Sequence, residues 1–242
     1  QALREIRRNM MRSILTAIGI VIGIASVIAM VNVGRGASLS ITQSVSRLGS
    51  NTLYVMQGQR HGPGEAHISV PFTLRDVQVL KNSIFTLEAV SPMAGSTLTV
   101  MHKDKNFQTN VTGVNNEYFD IQNWPLKEGS YFEEDEIRTG KNVCVLGKTV
   151  VENLFAPGES VLGEKIRIKN FTCEAIGSLE EKGANAFGRD QDDVIAIPIK
   201  MFQRRVAGNK NVSMIMVSVK ENFPLEQAKS QIRNVLRELR HL

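Results

Sequence analysis

The chain has 242 residues, 42% of them hydrophobic and 22% charged, with a formal net charge of +5. That length allows one large domain or two small ones with a real core, and two cysteines are too few for a disulfide scaffold. Arg4, Arg7, Arg8 and Arg12 against Glu5 place much of the positive excess in the first turns, and no later Lys/Arg stripe is interleaved with aromatics, which excludes nucleic-acid binding.

Residues 1–12 hold Leu3, Ile6 and Met10 at helical spacing and are expected to form a short amphipathic helix on the inner membrane face. Residues 13–33 (SILTAIGIVIGIASVIAMVNV) carry no charge. A helix of that length is about 32 Å long and matches a bilayer core of about 30 Å. A signal peptide is the competing reading. Its apolar region is shorter, about 7–15 residues; no convincing A-x-A-like site follows, and the surroundings of Arg7-Arg8 fit a twin-arginine signal poorly. The flanking arginines put the N-terminal side in the cytoplasm and everything after about Gly34 outside it. Gly19 and Gly23 form a small-xxx-small pair suited to close helix packing, with Ala25 and Ala29 as a second.

Residues 34–48 continue the helix as a stalk, with Leu39, Ile41, Val45 and Leu48 roughly on one face, and Gly49 ends it. NTLYVMQ (51–57) reads as a strand and 57–67 as a Gly/Pro/His-containing loop. Thr73 to Asp76 is a capping-box start, followed by Leu74, Val77 and Leu80 on one helical face. Strands follow at 96–102 and 107–114, joined by the turn KDKN. NVCVLG (142–147) is strand-like and KTVVENLF (148–155) helix-like; EKIRIKN and FTCEAIGSLE form a hairpin turning near Asn170. A polar loop spans 180–193, VIAIPI (194–199) is a buried strand, and SMIMVSVK (213–220) is another. Pro224 opens a last helix with Leu225, Ala228, Ile232, Val235, Leu236 and Leu239 on one face. The expected fold class is α+β: a transmembrane helix and stalk followed by a two-lobed extracytoplasmic domain. Residues 49–118 and 199–242 form its membrane-proximal lobe, and 119–198 an inserted outer lobe.

Chemical motifs are sparse. Gly147-Lys148-Thr149 after a strand and before a helix imitates a phosphate-binding loop. The glycine that motif needs is Asn142 here, and the apolar VCVL between cannot wrap a phosphate. His61, His67, His102 and His241 lack metal-ligand spacing, as do the cysteines. No nucleophile elbow is present. Asp190, Asp192 and Asp193 cluster in the polar loop without a calcium-loop pattern. Three sequons, at Asn110, Asn170 and Asn211, are read as accidental. Cys144 and Cys173 read as two buried hydrophobes or, outside the cytoplasm, as one disulfide. No catalytic residue, cofactor-binding residue or metal ligand is assigned. The loop residues Lys182, Gly183, Gly188, Asp190, Asp192 and Asp193 are the candidates for partner contact.

Six segments follow the order and spacing of one family: RSILTAIGIVIGIASVIAM, LGSNTLYV, GVNNEYFDIQNWPLKEGSYF, NVCVLGKTVVENLF, KGANAFGRDQDDVIAIP and the terminal RELRHL. Together they resemble the MacB-like, macrolide-exporter-type permeases of bacterial ABC transporters, which are related to FtsX. The resemblance implies a first span, a large outer domain and three later spans in a dimeric permease of the inner membrane. It also implies a separate or fused cytoplasmic ATPase and, in some members, a periplasmic adaptor and an outer-membrane channel. ATP hydrolysis would move the outer domain to export drugs, peptides or lipoproteins, so this chain would be a fragment with no enzymatic role of its own. The start at Gln1 and the absence of an obvious tail after Leu242 also read as a piece of a longer polypeptide. Two alternatives stand beside this: a single-pass anchored envelope assembly or binding protein without an ATPase, and a secreted binding domain left by signal cleavage.

Overall fold

A computed structural model describes residues 10–47, 51–58, 70–185 and 188–240. The expected amphipathic helix over 1–12 falls largely outside these residues. Gly49, most of the 57–67 loop, His61, His67 and His241 lie outside them too. The chain divides into two compact units, 1–46 and 47–242. In the first, α1 (Met10–Arg47) is one unbroken helix of 38 residues. It has no proline, the residue that most often breaks a helix interior.

The second unit has nine strands among the described residues. These are β1 (Thr52–Met56), β2 (Leu87–His102), β3 (Lys105–Val114), β4 (Leu126–Gly129), β5 (Val143–Leu146), β6 (Lys165–Ile168), β7 (Phe171–Leu179), β8 (Val194–Pro198) and β9 (Met214–Val219). Their order is β1-β9-β2-β3-β8-β5-β7-β4, and β6 pairs with both β2 and β7. Those two pairings close β2-β3-β8-β5-β7-β6 into a six-stranded barrel. The pairs β3/β8 and β5/β7 are parallel and the rest are antiparallel. Closure removes sheet edges, and the inward residues, among them Leu98, Val100, Leu146, Ile166, Ile168, Ile195 and Ile197, form one buried core. Gly113 is required on the barrel wall, because a Cβ there would stand 2.4 Å from Cβ of Phe202.

The remaining sheet is β1-β9 and the first half of β2. Its core face is covered by α2 (Leu74–Ser83) and α7 (Leu225–Arg240), which bury Val77, Leu80, Ala228, Ile232 and Leu236 against Val90, Ile215 and Val217. The capping box of α2 is formed: Thr73 N donates to Asp76 Oδ2 (2.7 Å) and Asp76 N donates to Thr73 Oγ1 (3.4 Å). Short helices α3 (Glu117–Ile121), α4 (Glu134–Thr139) and α5 (Lys148–Leu154) lie between strands, and α6 (Ile199–Phe202) runs on into a π-turn, Gln203–Ala207.

The strand expected at 96–102 begins nine residues earlier, at Leu87. Its two halves differ in partners: residues 87–93 pair with β9, and 94–102 pair with β3. The barrel therefore draws β2 and β3 from the 49–118 segment and its other strands from 119–198. One strand, β2, is continuous through both parts of the sheet.

Candidate functional site

The first candidate is the apolar stretch of α1. Ile14–Asn32 has a mean hydropathy of 2.7, and none of it is buried inside the protein. At about 1.5 Å per residue this stretch is about 28 Å long, close to a hydrocarbon core. Ile18, Val21, Ile22, Val27 and Ile28 are all more than half exposed. So many aliphatic side chains in water would forfeit the gain of burial, about 25 cal/mol per Å² of apolar surface. The two hydroxyls inside the stretch bond back to the helix: Thr16 Oγ1 donates to Arg12 O (2.5 Å) and Ser26 Oγ to Ile22 O (2.8 Å). Such bonds satisfy polar groups where no water reaches. A Cβ added to Gly19 or Gly23 would meet nothing within 4 Å.

The second candidate is the 180–193 loop, whose residues are bound to one another and to α5. Asp192 is only 3% exposed. Its Oδ1 accepts from Lys182 N (2.9 Å) and its Oδ2 from Gly183 N (2.7 Å), so a buried carboxylate pins the loop's first leg to its last. Asp190 Oδ1 accepts from Asp192 N (2.8 Å), and Asp190 Oδ2 from Thr149 Oγ1 (2.6 Å). A bridge pairs Ala184 with Asp190. The Lys182 ammonium lies 4.6 Å over the Trp124 ring and donates to the carbonyl and side-chain oxygens of Gln122. Burial lowers its pKa to about 8, with Asp192 opposing.

The phosphate-loop imitation proves to be the seat of this loop. Lys148 pairs with Glu181 and reaches Glu152 at 3.5 Å, Thr149 holds Asp190, and a Cβ on Gly147 would stand 2.2 Å from Asp192 O. The glycine permits backbone contact, and the Lys and Thr side chains tie down the loop. Of the six loop residues singled out in the sequence, Gly188 and Asp190 are exposed, Lys182, Gly183 and Asp193 are half-buried, and Asp192 is buried. Trp124 and Gln122 were not singled out; their signal, an isolated tryptophan in a short helix-to-strand connection, carries no spacing pattern.

Cys144 on β5 and Cys173 on β7 are joined by a disulfide, with Cα atoms 5.8 Å apart and both residues at most 1% exposed. Of the two readings open at the sequence level, the bonded one holds. It sits in the barrel core among Leu146, Ile166 and Ile195. Disulfides persist in oxidising compartments, so this bond fits a head outside the cytoplasm.

The chain matches the family described as the MacB-like periplasmic core domain over residues 13–235. It is 34% identical over 235 residues to the "Macrolide export ATP-binding/permease protein MacB" of Syntrophobacter fumaroxidans, covering 95% of this chain and 33% of that protein. It is 32% identical over 233 residues to the "Pyoverdine export ATP-binding/permease protein PvdT" of Pseudomonas syringae pv. syringae, covering 96% and 35%. The chain thus spans about a third of the length of the curated relatives it matches. Among solved structures, the periplasmic region of MacB from Actinobacillus actinomycetemcomitans superposes with a TM-score of 0.69 at 21% identity, over 83% of this chain and 89% of that one. The extracellular domain of the noncanonic ABC-type transporter YknZ from Gram-positive bacteria does so at 0.65 and 19% identity, over 79% and 95%. With a model match over nearly the whole chain, a shared fold and an apolar N-terminal helix, the chain belongs to the MacB-like periplasmic core domain family of ABC transporter permeases.

Proposed function

We propose that this chain is the first span, stalk and outer head of an export permease, and that it relays ATP-driven motion from the cytoplasm to the head. The observation that carries the reading is the length of α1. The helix continues 15 residues beyond the apolar stretch, from Asn32 to Arg47, without interruption. That extension is about 22 Å of helix outside the hydrocarbon core, which suits a rigid lever. The head adds a closed barrel and a buried disulfide, both suited to moving as one body.

On this reading the hydrolysis belongs to an ATPase subunit or domain outside the matched third, as the double names of the relatives suggest. The chain works beside a second permease copy in the inner membrane, with Gly19 and Gly23 offering a close-packing face to a neighbouring span. The exposed side of the 180–193 loop, at Gly188 and Asp190, is a face for partner contact, and the membrane-proximal lobe, 49–118 and 199–242, meets a periplasmic adaptor that leads to an outer-membrane channel. The cargo is a drug, peptide or lipoprotein.

The lever is tested at Gly36, inside α1. A proline in a helix interior removes a hydrogen bond and clashes with the preceding turn, at a cost of about 3 kcal/mol. In the complete transporter, Gly36→Pro is expected to abolish ATP-coupled export while the head keeps its melting temperature and its disulfide. Normal export by that variant would sink the lever.

A further inference from the structure

The Cys144–Cys173 bond lies where a thiol reagent has no path to it. Cys144 is 0% exposed and Cys173 1%, and both belong to the barrel core. Thiol–disulfide exchange passes through a mixed disulfide, formed when a thiolate attacks a sulfur directly, so it needs access as well as reactivity. The closed barrel gives none. The bond is therefore made while the barrel is open.

The topology shows how the barrel opens. β8 is the strand between β3 and β5, paired with β3 over Asn110–Val114 and with β5 at Val145 and Leu146. Without β8 the ring is broken, yet β3, β2, β6, β7 and β5 still pair in a row. The two strands that carry the cysteines are already neighbours in that row. β5 becomes its edge, and the core face around Cys144 and Cys173 loses Ile195 and Ile197. β8 also comes late in the chain, after both cysteines and every other strand of the barrel. A head that leaves the cytoplasm N-terminus first presents both thiols before β8 arrives.

We propose that a disulfide-bearing oxidant outside the cytoplasm joins Cys144 to Cys173 before β8 is seated, and that β8 then seals the bond. One cysteine thiolate attacks a sulfur of the oxidant's disulfide and displaces the other as a thiol. The second cysteine thiolate attacks the chain's own sulfur in the mixed disulfide and releases the remaining oxidant sulfur. The chain's two thiols give up two protons and two electrons, and the oxidant leaves as a dithiol. The proposal takes from the functional reading only that the head lies outside the cytoplasm, and its test involves neither ATP nor export.

The opening that admits an oxidant also admits a reductant. The experiment treats the full chain in zwitterionic lipid nanodiscs with dithiothreitol and counts free thiols by maleimide mass shift. Trp124, the single tryptophan, reports global unfolding by its fluorescence. The native chain is expected to be reduced about a hundredfold more slowly than the urea-unfolded chain. Val194→Ala loosens β8 on the face opposite the barrel core, where Val194 packs with Val145 and Ala196, and is expected to speed native reduction about tenfold. Val217→Ala makes the same truncation in β9, in the other core, and is expected to change the rate less than about twofold. Reduction of the native chain as fast as the unfolded one would overturn the proposal, because the closed barrel would then admit the reagent. Equal acceleration by the two valine variants would overturn it too, because access would then come from global unfolding and not from β8.

Discussion

The helix α1 and the barrel share a vocabulary of Ile, Val, Leu and Ala but use it in opposite ways. Ile18, Ile20, Ile22, Ile24 and Ile28 are each at least half exposed, whereas Ile166, Ile168, Ile195 and Ile197 are fully buried. In the barrel, aliphatic residues find partners within the chain, and their burial drives folding. In α1 they find none, so the solvent they require is another molecule: lipid, or another helix. Hydrophobic content alone is therefore a poor guide to where a stabilising contact lies.

The comparison breaks first if equal truncations in the two regions have equal effects. Ile197→Ala leaves a cavity in the barrel core and is expected to destabilise the head by about 2–5 kcal/mol, whereas Ile22→Ala should leave its melting temperature unchanged. Thermal unfolding of both variants in nanodiscs decides this; a matching loss from Ile22→Ala would mean the helix packs on the head.

Next in size is the disulfide, whose partners are 29 residues apart. Closing a loop of that length stabilises by about 3–4 kcal/mol in the chain-entropy account. Cys144→Ala with Cys173→Ala should cost roughly that much in denaturant unfolding, minus whatever the barrel recovers by repacking. A loss confined to a few tenths of a kcal/mol would show that barrel closure alone holds β5 to β7.

The loop offers a smaller effect. Asp192→Ala removes two charge-assisted bonds and exposes two backbone donors, which is expected to cost about 1.5–3 kcal/mol and to make the peptide bond after Arg189 a trypsin site. Unchanged proteolysis would show that Thr149 and Lys148 suffice to hold the loop.

The smallest effect is the pH response of Lys182. Its pKa falls from 10.5 to about 8 on folding. Between those values the unfolded chain binds the extra proton, so head stability should rise from pH 8 towards 10.5, and the penalty of the buried charge is fully present below pH 8. Solvent at the half-buried ammonium keeps the rise to about 1 kcal/mol. Lys182→Met should flatten that segment of the stability curve, and an identical curve would place the proton elsewhere.

Elements with strong local signals were legible in the sequence. The capping box at Thr73 and Asp76, the uncharged run at 13–33, the buried strand at 194–198 and the amphipathic face of α7 each rest on one periodicity or one cap. The 115–139 stretch was not legible as elements. Tyr118, Phe119, Ile121, Trp124 and Phe132 are buried there, but α3, β4 and α4 are each six residues or fewer, too short to show a period. The early start of β2 was masked by Pro92. That half of β2 pairs only with β9, and a strand with one free side tolerates a residue lacking its N–H. Of the candidate loop, the sequence marked the acidic cluster but not which carboxylate turns inward, because the loop is seated by distant contacts: the Asp192 backbone packs on Gly147, and Thr149 holds Asp190 from 41 residues away.

By itself, then, the sequence determined that one uncharged helix must leave water and that a mixed helix-and-sheet head follows. Both consequences are local, set by the length of an apolar run and by caps, turns and strand alternation. Only the tertiary structure decided that six strands close into a barrel, that Cys144 meets Cys173 inside it, and that Gly-Lys-Thr seats a loop. Each of these joins residues far apart in the chain, and no local periodicity encodes which distant partners will share a core.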